Sequence, residues 1–222
     1  MMKKKLKLGV LVSGSGSNLQ AIIDQIEMGR LDGEIKIVIS NNPDAYAIKR
    51  CDKHGIPVTV VRHEDFFARD DFDSAMIKTL NDHAVELIVM AGFMRILSTA
   101  FLRTYPLKIM NIHPALLPAF PGLHVQKKAV EYGVKFSGCT VHFADEGVDT
   151  GPIIIQAVVP VLPDDTETTL AERILREEHK IYPQAIQWFA EGRLEVTGRH
   201  VRVKEHIAPP PRAQINPDLV HM

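Results

Sequence analysis

The chain has 222 residues, 45% hydrophobic and 24% charged, with a formal net charge of −1. That size suits one large domain or two small ones, with a core that needs no covalent staples, and the charge balance argues against nucleic-acid binding through bulk charge. Two cysteines, Cys51 and Cys139, stand outside any CxxC pair; no disulfide framework or zinc site is indicated, and a reducing cytoplasm is the expected compartment.

The opening MMKKKLKLGVLV sets lysines before apolar residues, but Lys7 and Gly9 interrupt the run and no small-residue cleavage site follows, so it reads as the start of a strand rather than a signal peptide. No stretch reaches the ~20 apolar residues of a membrane span. Leu6 to Val12 predicts a buried strand, followed by the loop Ser13-Gly14-Ser15-Gly16-Ser17-Asn18. Leu19, Ile22, Ile23 and Ile26 then recur at helical spacing, Ser17 and Gln20 have capping-box spacing, and Gly29 offers a stop. Strand, Gly/Ser loop and helix start together make an anion cradle, because free N–H groups and the positive end of the helix dipole favour a phosphate. Leu19 occupies the last glycine position of G-x-G-x-x-G and no Gly-Lys-Ser/Thr follows, which favours a monophosphate over a dinucleotide. A tight turn without a ligand is the alternative reading.

Strands are expected at Ile35 to Ser40, Pro57 to Val61, Glu86 to Ala91 and Leu107 to Ile112, with helices at Ala45 to His54, Arg69 to Ala84 and after a Ser98 cap. This alternation predicts a doubly wound, mostly parallel α/β sheet with a Rossmann-like N-terminal half. Beyond Gly122 a helix from His124 to Tyr132 precedes two strands, Gly138 to Ala144 and Pro152 to Val161, which are expected to pair antiparallel across a loop reading DEGVDTG. A long helix starts between Thr166 and Thr169, with Thr169 and Glu172 at capping-box spacing, and Pro183 is expected to kink or restart it. Its inward stripe reads Leu170, Ile174, Glu178, Ile181 and Ala185. An acid there needs a ligand, a cation or a cleft, unless the stripe is one residue off and Glu178 is solvated. Two short strands broken at Gly198 follow Leu194, and Pro209-Pro210-Pro211 suggests an extended, poorly ordered tail.

The segment Asn111-Ile112-His113-Pro114 carries the chemistry. Alternation sends Asn111 and His113 to one side of a strand and Ile112 to the other, and Pro114 ends the pairing. Polar groups at a strand's carboxyl end stand where open α/β sheets bind ligands, although an Asn and a His satisfied in a turn would also fit. Asp149, between Gly147 and Gly151, is the acid chosen to support His113. His113 would protonate a developing oxyanion and Asn111 would donate to the same oxygen. No nucleophile elbow is present, so the substrate supplies its own nucleophile, as in acyl transfer to an amine. His113, His124, His142 and Asp149 lack zinc-site spacing, and no metal is expected. His179, beside Glu178, either assists the phosphate end or only packs.

Four segments, Ser13 to Leu19, Ala91 to Leu97, Asn111 to Pro118 and Val141-His-Phe with Asp149 to Pro152, resemble the phosphoribosylglycinamide formyltransferases, folate-dependent enzymes of purine synthesis. The resemblance runs from about residue 6 to residue 195. It implies a formyltransferase fold with a small antiparallel C-terminal extension. It also implies that Gly16, Ser17, Asn18 and Glu178 bind the ribonucleotide. Arg69, Met94, Arg95, Ile96 and Leu97, with Asn111 and the run Asp145, Glu146, Gly147, Val148 and Asp149, would bind 10-formyltetrahydrofolate, a co-substrate. Asn111, His113 and Asp149 would be catalytic. Ala115 departs from the family, which commonly has Ser there. The implied organisation is a single domain over 1–195, with a phosphate-binding half to about residue 100 and a folate-binding, catalytic half after it. Residues 196–222 would form an extension, partly disordered. Partners would be small molecules only, with no nucleic acid or membrane, and the protein a monomer or homodimer.

Three rivals stand beside this reading. A formyltetrahydrofolate hydrolase would use water, would typically carry an N-terminal regulatory domain and would leave the cradle without a purpose. A methionyl-tRNA formyltransferase should add a basic tRNA-binding domain. A non-catalytic nucleotide-binding module would leave Asn111, His113 and Asp149 idle.

Overall fold

A computed structural model of the chain describes residues 4–205 together with Gln214 and Asn216. Strands and helices alternate through β1 (Leu6–Val12), α1 (Ser17–Glu27), β2 (Gly33–Ser40), α2 (Tyr46–His54), β3 (Val58–Val60), a 3-10 turn (His63–Asp65), α3 (Arg69–Asp82), β4 (Leu87–Met90), α4 (Thr99–Thr104) and β5 (Ile109–His113). Then come α5 (Val125–Tyr132), β6 (Phe136–Phe143), β7 (Ile153–Pro160), α6 (Glu167–Ala190), β8 (Leu194–Thr197) and β9 (His200–Val203). The strands form one sheet in the order β3-β2-β1-β4-β5-β6-β7-β9-β8. Pairing is parallel from β3 to β5, antiparallel from β5 through β6 to β7, and antiparallel again between β8 and β9. The doubly wound, mostly parallel sheet expected from the sequence is present.

Alternation along the strands feeds two cores. Val10, Val12, Met110 and Ile112 pack with α1 and α6 through Leu19, Ile22, Ile174 and Tyr182. Leu11, Ile37, Ile39 and Ile109 pack on the other face with Phe72, Met76, Leu80 and Phe101. Both faces of the N-terminal half are therefore covered, as a parallel sheet requires.

Helix ends differ from expectation in three places. The Ser17–Gln20 capping box is absent: Gly16, with φ 67°, is the N-cap and no side chain caps α1, while the Gln20 amide contacts Asp24 and His54. The capping box of α6 joins Thr166 and Thr169, not Thr169 and Glu172. The helix does not restart at Pro183: α6 runs from Glu167 to Ala190 with the proline inside it. Burial of Tyr182, Ala185 and Ile186 on either side of the proline outweighs its missing hydrogen bond.

The two short C-terminal strands form as β8 and β9 and extend the same sheet, so the expected boundary at residue 195 falls inside β8. Pro209-Pro210-Pro211 lies outside the described residues. Among the described residues no helix is long and apolar enough to cross a membrane.

Tyr182 ties α6 to the sheet. Its fully buried ring sends the hydroxyl to the carbonyls of Met90, at 3.0 Å, and Met110, at 2.8 Å. Tyr182→Phe leaves those carbonyls without this donor and is expected to cost about 1 kcal/mol, read as a melting temperature lower by roughly 2–4 °C. An unchanged melting temperature would show that the hydroxyl contributes nothing.

Candidate active site

The strand order reverses between β1 and β4, and beside that point the carboxyl ends of β4 and β5 open onto a cleft of about 690 Å³. Open α/β sheets bind ligands at such a point. Asn111 and His113 project from β5 on the face opposite Met110 and Ile112, and both line the cleft. His113 is 5% exposed. Its Nε2 lies 2.9 Å from the Phe120 carbonyl, which can only accept, so Nε2 carries a proton. Its Nδ1 lies 3.3 Å from Asp149 Oδ2. Protonation at Nδ1 yields an imidazolium whose two N–H groups both meet acceptors.

Asp149 gathers the site. Asn111 Nδ2 donates to its Oδ1 at 3.4 Å and the Gly122 N–H to its Oδ2 at 2.9 Å. The Asn111 amide and, in the imidazolium form, His113 Nδ1 thus both donate to one carboxylate. A developing oxyanion would meet the same pair of donors. Asp149 holds φ 56°, a left-handed conformation uncommon outside glycine that Asp is among the few residues to tolerate.

His142 belongs to this cluster, and the sequence reading weighed it only as a metal ligand. Its Nδ1 donates to the Phe143 carbonyl at 2.9 Å, which leaves Nε2 to accept from Asn111 Nδ2 at 3.2 Å. Burial pushes its pKa down despite the nearby Asp149 carboxylate, so the ring is neutral and fixes the Asn111 amide with its NH₂ toward the cluster. The signal was present in Cys139-Thr140-Val141-His142-Phe143, where polar residues alternate with apolar ones.

Among the expected formyl-donor residues, Met94, Arg95, Ile96 and Leu97 form one wall of the cleft, and Asp145, Glu146, Gly147, Val148 and Asp149 another. Arg69 is not in the wall itself: its Nη2 donates to the Ile96 and Leu97 carbonyls and braces that loop from the side.

At the cradle, Gly16 must be glycine for two reasons. Its φ is positive, and a Cβ there would fall 2.7 Å from Ala47 Cβ. Among the described residues no side-chain cap hydrogen bond is made at the start of α1, which leaves the N–H groups of Ser17 and Asn18 available to an anion. Arg50, which the sequence reading passed over, donates from Nε to the Ser15 carbonyl at 2.9 Å and lies over the Tyr46 ring. Ser13 links the cradle to the other wall: its hydroxyl donates to Asn41 Oδ1 and accepts from the Met94 N–H at 2.7 Å.

Glu178 is buried in the inward stripe of α6 as expected, and Asn18 Nδ2 donates to its Oε2 at 2.7 Å. His179 is half-buried with no hydrogen-bond partner for Nε2 among the described residues. No cluster of three or more His, Cys, Asp or Glu among the described residues could hold a metal ion.

Burial pushes the Glu178 carboxyl above its ordinary range, opposed by the Asn18 hydrogen bond. A group raised in the folded state favours folding below its unfolded pKa, about 4.3, and loses that contribution as the pH rises through the folded value. Glu178→Gln keeps an acceptor for Asn18 and removes the charge. It is expected to raise the melting temperature at pH 7 by on the order of 2 °C, with the gain shrinking toward pH 5. Thermal unfolding at the two pH values checks this, and a loss at pH 7 would contradict it.

A formyl transferase family model matches residues 6–186. The chain is 47% identical over 194 residues to the trifunctional purine biosynthetic protein adenosine-3 of Drosophila melanogaster; this covers 86% of the chain but only 14% of that relative. It is 42% identical to the phosphoribosylglycinamide formyltransferase of Escherichia coli, covering 86% of this chain and 90% of that one. Among solved structures, glycinamide ribonucleotide transformylase 1 from Symbiobacterium toebii superposes with a TM-score of 0.89 at 49% identity, covering 91% of this chain and 95% of that one. From β1 into α6, across the cradle, β5 and the Asp149 loop, the chain belongs to the formyl transferase family.

Proposed function

We propose that the protein transfers the formyl group of 10-formyltetrahydrofolate to the amine of 5-phosphoribosylglycinamide, giving N-formylglycinamide ribonucleotide and tetrahydrofolate. The observation that carries this reading is the convergence of Asn111 and His113 on Asp149 in the cleft wall. The family match and the likeness to the E. coli formyltransferase and the S. toebii transformylase support it.

The ribonucleotide phosphate sits on the N–H groups of Gly16, Ser17 and Asn18, with Glu178 reaching the same substrate. The folate lies between Met94–Leu97 and Asp145–Asp149. The glycinamide amine attacks the formyl carbon, and the carbonyl oxygen takes up negative charge. Asn111 donates to that oxygen and His113 offers the proton at Nδ1, while Asp149 stabilises the imidazolium. Collapse of the tetrahedral intermediate expels the folate nitrogen, which takes a proton as the amine loses one. Holding both substrates in one cleft supplies much of the remaining rate. The uncapped helix start at Gly16 and the buried Glu178 favour a phosphorylated amine over water as the acceptor, which separates this reading from a hydrolase. A non-catalytic nucleotide-binding module would have no use for the Asn111, His113 and Asp149 cluster.

Turnover of 10-formyl-5,8-dideazafolate, followed by absorbance, tests the proposal. Turnover is expected to require the ribonucleotide, and His113→Ala is expected to lower it roughly 10²–10⁴-fold. Equal turnover without the ribonucleotide would favour the hydrolase. No turnover of the parent chain, with ligands still bound, would favour the binding module.

A further inference from the structure

Asp149 keeps a left-handed backbone, φ 56°, a conformation uncommon outside glycine although Asp tolerates it, so the contacts around it bear on where its carboxylate points. Besides the hydrogen bonds that Asn111 and Gly122 give to the Asp149 carboxylate, three ties act on its loop. The Asp145 carboxylate accepts from the Gly147 N–H at 3.2 Å and the Thr150 hydroxyl at 2.6 Å, which closes the loop on itself without orienting it against the sheet. Arg103 Nε meets Glu146 Oε1 at 2.8 Å, three residues before Asp149, through two exposed side chains. The third tie comes from the C-terminal hairpin: the exposed Arg199 side chain donates from Nη2 to the Thr150 backbone carbonyl at 2.7 Å. That carbonyl belongs to the residue directly after Asp149. Arg199 sits in the β8–β9 turn, beside His200, which pairs with Ile153 at the start of β7. The next residue along the loop, Gly151, leaves no slack, since a Cβ there would fall 1.8 Å from the Phe143 carbonyl oxygen.

We propose that Arg199 is a positioning residue for Asp149, so that the C-terminal β8–β9 hairpin, beyond the end of the family match at residue 186, takes part in assembling the site. The inference rests on the formyl-transfer reading. Arg199 touches neither the trio nor the cleft. It fixes the peptide that follows Asp149 and so holds the carboxylate against Asn111, His113 and the Gly122 N–H. Without that grip the residue relaxes from its left-handed conformation and the carboxylate turns away from His113.

The test compares the parent chain, Arg199→Ala and Arg199→Lys by steady-state kinetics with 10-formyl-5,8-dideazafolate and the ribonucleotide, alongside thermal unfolding. Arg199→Ala is expected to lower kcat roughly three- to tenfold with an unchanged ribonucleotide KM and an unchanged melting temperature. Arg199→Lys, which retains a donor, is expected to recover most of the loss. Unchanged kcat in Arg199→Ala, a loss that Lys does not recover, or a loss that follows a lowered melting temperature would overturn the inference alone. A parent chain without ribonucleotide-dependent turnover would overturn the formyl-transfer reading, and this inference with it.

Discussion

The ladder between β5 and β6 is the constraint on which the site depends. β5 has parallel β4 on one side and antiparallel β6 on the other. The parallel neighbour puts the carboxyl end of β5 at the ligand edge of the sheet. The antiparallel neighbour sets Asn111 opposite His142 and His113 opposite Thr140, and directly opposed residues share a face. A slip of one residue would send Asn111 and His113 into the apolar layer that holds Met110 and Ile112. The apolar alternation that builds the core therefore also fixes the polar cluster.

Charge is distributed so that each buried group has a defined role. Burial keeps His142 neutral, which makes it an acceptor and orients the Asn111 amide. Asp149 faces His113 Nδ1 at 3.3 Å and takes the Gly122 N–H at 2.9 Å, so its charge is not left uncompensated. Glu178 differs: among the described residues Asn18 donates to it, and the Asn18 Oδ1 is itself buried without a partner. A buried acid beside an unmatched carbonyl oxygen is costly. A polar ligand carrying hydroxyl or amine donors would offset that cost, which suits the ribose and amine end of the proposed substrate. Ser13 joins this region to the other wall of the cleft, because its one hydroxyl contacts both Asn41 and the Met94 N–H.

Much of this was legible in the residues themselves. The alternation of strands and helices announced the sheet, and Glu178 in an apolar stripe announced a polar site, because both signals are local. What escaped depended on tertiary partners. Ser17 and Gln20 have the spacing of a capping box, but Gly16 takes the N-cap position in a left-handed conformation pressed against Ala47, and no local pattern reveals that contact. Pro183 reads as a kink or a restart, yet α6 continues through it because core packing holds both sides. His142 and Arg199 act across strand pairings or between distant loops, and register across 31 or 49 residues is not written in either segment alone.

Ala115 shows how the surrounding sheet can replace a local contact. The resemblance leads one to expect a serine hydroxyl after His113-Pro114, at the start of a loop whose backbone must be satisfied away from water. Ala115 is 1% exposed. The Thr140 hydroxyl donates to the Ala115 carbonyl at 2.7 Å and accepts from the Leu117 N–H at 3.1 Å. Gln156 Nε2 donates to that hydroxyl and to the Leu117 carbonyl, each at 2.9 Å. Thr140 lies opposite His113 in the ladder, and Gln156 opposite Thr140. The sheet that positions His113 therefore also supplies hydrogen bonds to the loop that follows it, from the next two strands. A methyl group at residue 115 leaves those backbone partners in place, since none of the bonds uses the residue's side chain.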